Sequence, residues 1–254
     1  MKKTYNPIKQ CVYCGATRFA SDSKRDLAPE HIIPLGLNGD LIIPEASCRS
    51  CERITGRQES IMLKGALQGI RCFLNFRTRN PKDRPKVLPL FWGTNGKTLV
   101  DVNDFPAVFF FIRLSLPRIL GGPQEGTIIP VLHLLRMDIN LIKRKYGLKE
   151  FATPSTDVQA FFRMLAKIGH SFAVAELGLD SFKPSLVEYI LSKDYLPRLD
   201  SHIGGSPEEA LITNELHEIE IYKDELYPDL TIVRIRLFAK YGGPPYLVVV
   251  GEKK

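Results

Sequence analysis

Two C-x2-C pairs, "CVYC" with Cys11 and Cys14 and "CRSC" with Cys48 and Cys51, constrain this 254-residue chain more than any other feature. In a reducing compartment such pairs are seldom disulfides. Two knuckles presenting four thiolates match a tetrahedral structural zinc site. The cysteines therefore predict a point where residues 11–14 and 48–51 meet. The 33 residues between the pairs exceed the usual ribbon spacing, so a further element is inserted between the knuckles. The fifth cysteine, Cys72, falls in a helical apolar pattern and reads as a core residue.

The insert contains "LAPEHIIPLGLNGDL", in which Glu30 stands directly before His31. One group that binds a divalent cation and one that takes a proton from water are what metal-assisted phosphodiester hydrolysis requires. Histidine titrates near neutral pH and suits the base, and a carboxylate suits Mg²⁺ or Mn²⁺. Successive strand residues point to opposite sides, so the two can share this work only where the backbone turns. Pro34 and "GLNGD" supply turn chemistry.

Charge placement points to a polyanion. The formal net charge is +7, and residues 49–86 alone carry ten Lys/Arg against three Asp/Glu, so the whole surplus lies there. Phosphate contacts release counterions and supply most non-specific affinity, which favours nucleic acid: DNA, with RNA not excluded. Arg49, Arg53 and Arg57 recur at four-residue spacing, so a regular helix displays them along one side. Lys64, Arg71, Arg77 and Arg79 complete the basic set. No apolar run approaches the roughly 18 residues of a membrane span, and the basic start "MKKTYNPIKQC" lacks an apolar signal core. A cytoplasmic protein without a membrane partner is expected.

The chain divides near residue 90, into a cysteine-rich, basic part over 1–90 and a part of balanced charge over 91–254, joined by the extended, proline-rich "RNPKDRPKVLPLF". "GDLIIPEAS" reads as a short strand ended by Pro44. The sequence from Cys48 reads as a knuckle running into a helix with Met62, Ala66, Leu67, Ile70 and Phe73 on its buried face, and a break near Gly56, Gly65 or Gly69. Beyond residue 90, "VDVNDFPAVFFFIRLSLP" and "GTIIPVLHLL" suggest strands. "TDVQAFFRMLAKIGHSFAVAELG" and "PSLVEYILSKD" suggest helices, and "LHEIEIYKD", "LTIVRIRLFAKY" and "PYLVVVGEK" an antiparallel meander. The fold class is α+β. Lys167 and His170 form a helical pair three apart, which reads as core or boundary rather than site; His133, His202 and His217 have no usable partner spacing.

Together, "CVYC", "EHIIP", "GLNGDLIIPEASCRSC" and "ERITGRQESIML" resemble the HNH, or ββα-metal, endonucleases of the zinc-knuckle type over residues 8–75. "FFRMLAKIGHSFAVAELGLDSF", "HIGG" and "YLVVVGE" look like the remainder of bacterial HNH proteins of otherwise uncharacterised function. The resemblance implies a zinc-stapled ββα-metal domain and metal-dependent hydrolysis of DNA phosphodiesters. It makes His31 the general base, Glu30 a ligand of Mg or Mn, and Cys11, Cys14, Cys48 and Cys51 the structural zinc ligands. The chain departs from the family at two places. Glu52 occupies the slot usually held by His or Asn early in the helix, with Glu59 a competing ligand seven residues on. No Asn stands at the family's matching place before the second strand, where Asn38 in the turn is the nearest substitute. The rival expectation is a non-catalytic, zinc-stapled nucleic-acid-binding or interaction module. No phosphate loop or nucleophile elbow occurs beyond residue 90.

Overall fold

The helix expected from "TDVQAFFRMLAKIGHSFAVAELG" is the pivot of the fold. The computed structural model describes residues 3–21, 24, 26–152, 156–192, 201–209 and 211–254. In it this helix, α4, runs Val158–Leu177, with the Asp157 side chain accepting from the Ala160 N–H at 2.9 Å and Gly178 closing its end. Every residue from Ala160 to Val174 is buried, so the helix has no solvent face over that length. Such a helix must be covered on several sides.

One cover is the C-terminal sheet. Strands β8 (Phe182–Pro184), β9 (Ile203–Gly205), β10 (His217–Tyr222), β11 (Leu230–Leu237) and β12 (Pro245–Lys253) pair antiparallel, in the order β10-β11-β12-β8 with β9 also against β12. The β10-β11-β12 run is the expected meander. Gly169 lets β12 approach α4: a Cβ there would lie 2.9 Å from Val248 Cγ1 and 3.2 Å from Val250 Cγ1.

The second cover comes from the N-terminal residues. β2 (Ala28–His31) and β3 (Leu41–Ser47) form an antiparallel hairpin with Glu30 opposite Ile43 and His31 opposite Ile42; β1 (Lys3–Thr4) adds to β3 in parallel. Contrary to expectation, Pro44 does not end β3. The ladder to β2 is irregular between Ala28 and Glu30, close to where the missing N–H would fall, and the strand continues to Ser47. Cys48 then caps α1 (Arg49–Lys64), so the order is hairpin, then helix. The helix breaks at Gly65 and resumes as α2 (Gln68–Phe73). Phe73, expected on the buried face, is 37% exposed, with the Arg136 guanidinium 4.6 Å over its ring.

The segment expected to be an extended connection instead holds a 3-10 turn at Pro81–Asp83 and strand β4 (Val87–Trp92), which pairs with β5 (Gly96–Asp101). Strands β6 (Ala107–Leu114) and β7 (Ile128–Arg136) form another hairpin, followed by α3 (Ile139–Tyr146). Helix α5 is shorter than expected, spanning Val187–Leu191 between Leu186 and an extended Ser192, with Pro184 in β8; residues 193–194 of the expected helix lie outside the described residues. The whole is mixed α+β, with five α-helices and four sheets among the described residues. Its main apolar core runs across residue 90. Ile32, Leu37, Ile43 and Ile70 belong to the same buried cluster as Met164, Ile168, Val233 and Val248.

Candidate functional site

The knuckles meet. Gly15, at φ +75°, turns the chain so that its N–H reaches the Cys11 carbonyl at 2.9 Å, and the Val12 N–H bonds Ala46 O at 2.9 Å, laying the first knuckle along β3. Cys48 and Cys51 belong to the first turn of α1, where the helix dipole favours thiolates. All four Sγ atoms lie within 4.8 Å of one another, and those of Cys14 and Cys48 are 3.6 Å apart. Zn–S bonds of about 2.3 Å in a tetrahedron place sulfurs about 3.8 Å apart, so the cluster could hold a structural zinc ion. A hydrogen bond from Cys51 brings the Cys11 pKa down to about 4 and raises that of Cys51, while burial raises Cys14. Zinc binding must therefore expel protons still held by the set.

Glu30 and His31 part company, as strand geometry demands. His31 turns to an open cavity of about 890 Å³ beside α1. Glu52, Glu59 and the arginines Arg49, Arg53, Arg57, Arg71, Arg77 and Arg79 line the same cavity. Burial and then the Lys167 charge, with Arg79 and Arg77 behind it, lower the His31 pKa, so its imidazole is neutral at pH 7; its buried Nδ1 has no hydrogen-bond partner among the described residues. A neutral imidazole lining an open cavity can accept a proton.

Glu30 points the other way and does not line this cavity. It is 4% exposed, and its Oε1 lies 2.6 Å from Lys167 Nζ. Burial raises its pKa, and the Lys167 charge opposes that rise. Glu59 is also engaged by Lys167, at 3.0 Å, but stays partly exposed. Glu52 is the freest of the three carboxylates: it is 36% exposed, with only a long 3.8 Å ion pair to Arg79. Glu30, Glu52 and Glu59 thus do not converge. Among the described residues, the four cysteines are the only group of three or more His, Cys, Asp or Glu donors close enough to share an ion.

The arginines also differ. Arg49, Arg53 and Arg57 stand exposed along one side of α1, as their spacing predicts, and form no ion pair among the described residues. Arg71 is a strut: its Nε donates to Gly36 O and its Nη1 to Leu63 O, each at 2.7 Å, tying the turn to α1. Arg77 pairs with Asp40 at 2.6 Å, and its backbone N–H donates to Asn38 Oδ1 at 2.8 Å. Asn38, at φ +62°, thereby orders the turn. Lys64 is exposed but does not line the cavity.

Sequence reasoning left Lys167 outside the site, and it missed Tyr13 and Ser171, whose hydroxyls lie 3.0 Å apart beside Glu30. A signal was available. Lys167 interrupts an apolar helix that leaves it no solvent face, and a buried ammonium must find a partner. His170, read as core, is buried with Nε2 2.8 Å from Val12 O. Among the described residues, no helix is long and apolar enough to cross a membrane. Comparison with protein-family models, with curated proteins and with solved structures gives no match to this chain.

Proposed function

We propose that the chain is an endonuclease of the HNH type that hydrolyses nucleic-acid phosphodiesters, DNA first among them, in the cavity beside α1. The observation that carries this reading is the meeting, around one open cavity, of the His31 imidazole, the partly exposed Glu52 carboxylate, and Arg49, Arg53 and Arg57, which form no ion pair among the described residues. Arg49, Arg53 and Arg57 hold the phosphates on either side of the scissile bond. His31 takes a proton from the attacking water, and the arginines offset the charge that gathers on the phosphoryl oxygens. Among the three expected ligands, Glu52 is the candidate for a Mg- or Mn-class ion shared with a substrate phosphate, because it lines the cavity and is held only by a 3.8 Å pair to Arg79, whereas Glu59, on the same cavity, is engaged by Lys167; such an ion would supply Lewis-acid stabilisation when bound. Glu30, paired with Lys167, does not fit that role.

The test is nicking of supercoiled plasmid with Mg²⁺ or Mn²⁺. His31→Ala is expected to slow it by about 10²–10⁴-fold while DNA binding persists. Glu52→Gln should weaken the dependence on divalent ion. Undiminished nicking by His31→Ala removes the base assignment. The burial of Glu30 against Lys167 favours a second reading, a non-catalytic, zinc-stapled nucleic-acid-binding module. That module would bind DNA in a salt-sensitive manner with no need of a divalent ion and would cleave nothing.

A further inference from the structure

Lys167 reaches from the centre of α4 to the end of β2. Its Nζ lies 2.6 Å from Glu30 Oε1, 3.0 Å from Glu59 Oε1 and 3.2 Å from the Ile32 carbonyl, and it also donates to the His31 carbonyl. Three N–H donors thus serve four acceptors, drawn from β2, from the residue after it and from α1. The side chain is 3% exposed. Burial by itself lowers its pKa, but Glu30 and Glu59 outweigh burial and raise it, so the ammonium stays charged.

The His31 side chain faces the opposite way, into the cavity, with Nδ1 unpartnered among the described residues. That nitrogen does not anchor the ring, so the backbone at residues 31 and 32, which sets where the side chain leaves β2, bears directly on the ring's place. Lys167 holds the carbonyls of both residues. Neither the sequence pattern nor the HNH resemblance assigns this lysine a part in the site.

We propose that Lys167 is the positioning residue of the candidate centre: by joining β2, α1 and α4 through one buried ammonium, it fixes the backbone from which the His31 imidazole enters the cavity. This rests on the reading of His31 as the base. A merely structural lysine would neutralise Glu30 and Glu59 and leave the imidazole where it is.

The two roles separate in the full-length, zinc-loaded protein labelled with ¹³C-histidine, in which the His31 imidazole cross-peak is assigned by its loss in His31→Ala. The main variant is Lys167→Met combined with Glu30→Gln, which leaves no fully buried carboxylate without its cation. Recorded at about pH 8.5, where an imidazole of ordinary or lowered pKa is neutral in every variant, its His170 and His217 cross-peaks should stay in place while that of His31 moves or splits. Single-turnover cleavage of an oligonucleotide should fall about 100-fold at unchanged Kd, as expected when a reacting group is displaced.

A His31 cross-peak coincident with the wild type overturns the proposal. Should the double variant unfold, Lys167→Arg decides. A planar guanidinium keeps the charge but cannot meet both carbonyls and both carboxylates in the same geometry, so the His31 cross-peak must still move, and an unmoved one again overturns the proposal. Failure of the hydrolase reading looks different: the wild type then cleaves nothing, and the cross-peak alone decides what Lys167 does.

Discussion

At the scale of single residues, His217 shows how a buried imidazole ties distant parts of the chain together. Its Nε2 lies 2.7 Å from Leu37 O in the turn beside the candidate site, and its Nδ1 accepts from the Phe238 N–H at 3.2 Å. That pairing requires the neutral tautomer protonated on Nε2. Burial lowers its pKa from the ordinary 6.5 to about 4, with the Leu37 carbonyl acting the other way. The unfolded chain therefore binds this proton near pH 6.5 and the folded chain only near 4. Between those values the unfolded state holds more protons, so stability is full above about 6.5, falls as pH drops through the window and levels off below 4. A shift of this size corresponds to about 3 kcal/mol. Urea unfolding of the wild type and of His217→Gln at pH 7 and at pH 4.5 should show most of that difference as extra acid sensitivity in the wild type; parallel pH dependences would remove His217 as its source. The four cysteines and His31 were legible because spacing or adjacency marks them. His217 was not, because its partners lie 180 and 21 residues away.

Among the elements, the two knuckles bring the hairpin and the helix to one point. Cys48 and Cys51 sit on α1 and Cys11 and Cys14 on the turn beside β3, so an ion held by all four ties the hairpin to the helix that bears Arg49, Arg53 and Arg57. Metal analysis is expected to give about one zinc per chain for a four-thiolate site. Strong chelation, or Cys51→Ser, should lower the thermal midpoint by about 10 °C or more, since structural zinc binding is itself folding free energy. Release of zinc with an unchanged midpoint would show that packing of α1 and α4 suffices without the ion. The meander and α4 were legible from alternation and from capping residues; a break near Gly56, Gly65 or Gly69 was legible too, but not that α1 runs through Gly56 and stops at Gly65. β4 was hidden because prolines mark extended chain without saying whether a partner strand exists. The run of β3 through Pro44 was hidden for the converse reason: a missing N–H is harmless where the ladder is already irregular.

For the whole molecule, the step in charge near residue 90 and the course of the core tell different stories. Net charge reports what the surface can attract, and it is concentrated before that point; packing is set by apolar faces, and these run across it. Leu37, Ile43 and Ile70 are fully buried in a cluster completed by Met164, Ile168 and Val248, and Glu30 is buried against a lysine from α4. Removing residues 91–254 would expose those side chains to water and leave Glu30 without its cation. Burial is worth about 25 cal/mol per Å² of apolar surface, and breaking one half of a buried ion pair costs about 3–5 kcal/mol. A chain of 90 residues has only about 5–10 kcal/mol of net stability to lose. The fragment 1–90, even when loaded with zinc, is therefore expected to show poor amide dispersion and no cooperative melt. Adding the fragment 91–254 should restore both, because α4 and the meander supply the missing cover and the missing ammonium. A zinc-loaded 1–90 fragment that melts cooperatively by itself would mean that the zinc cluster outweighs the shared core, and that residue 90 is a domain boundary in energy as well as in charge.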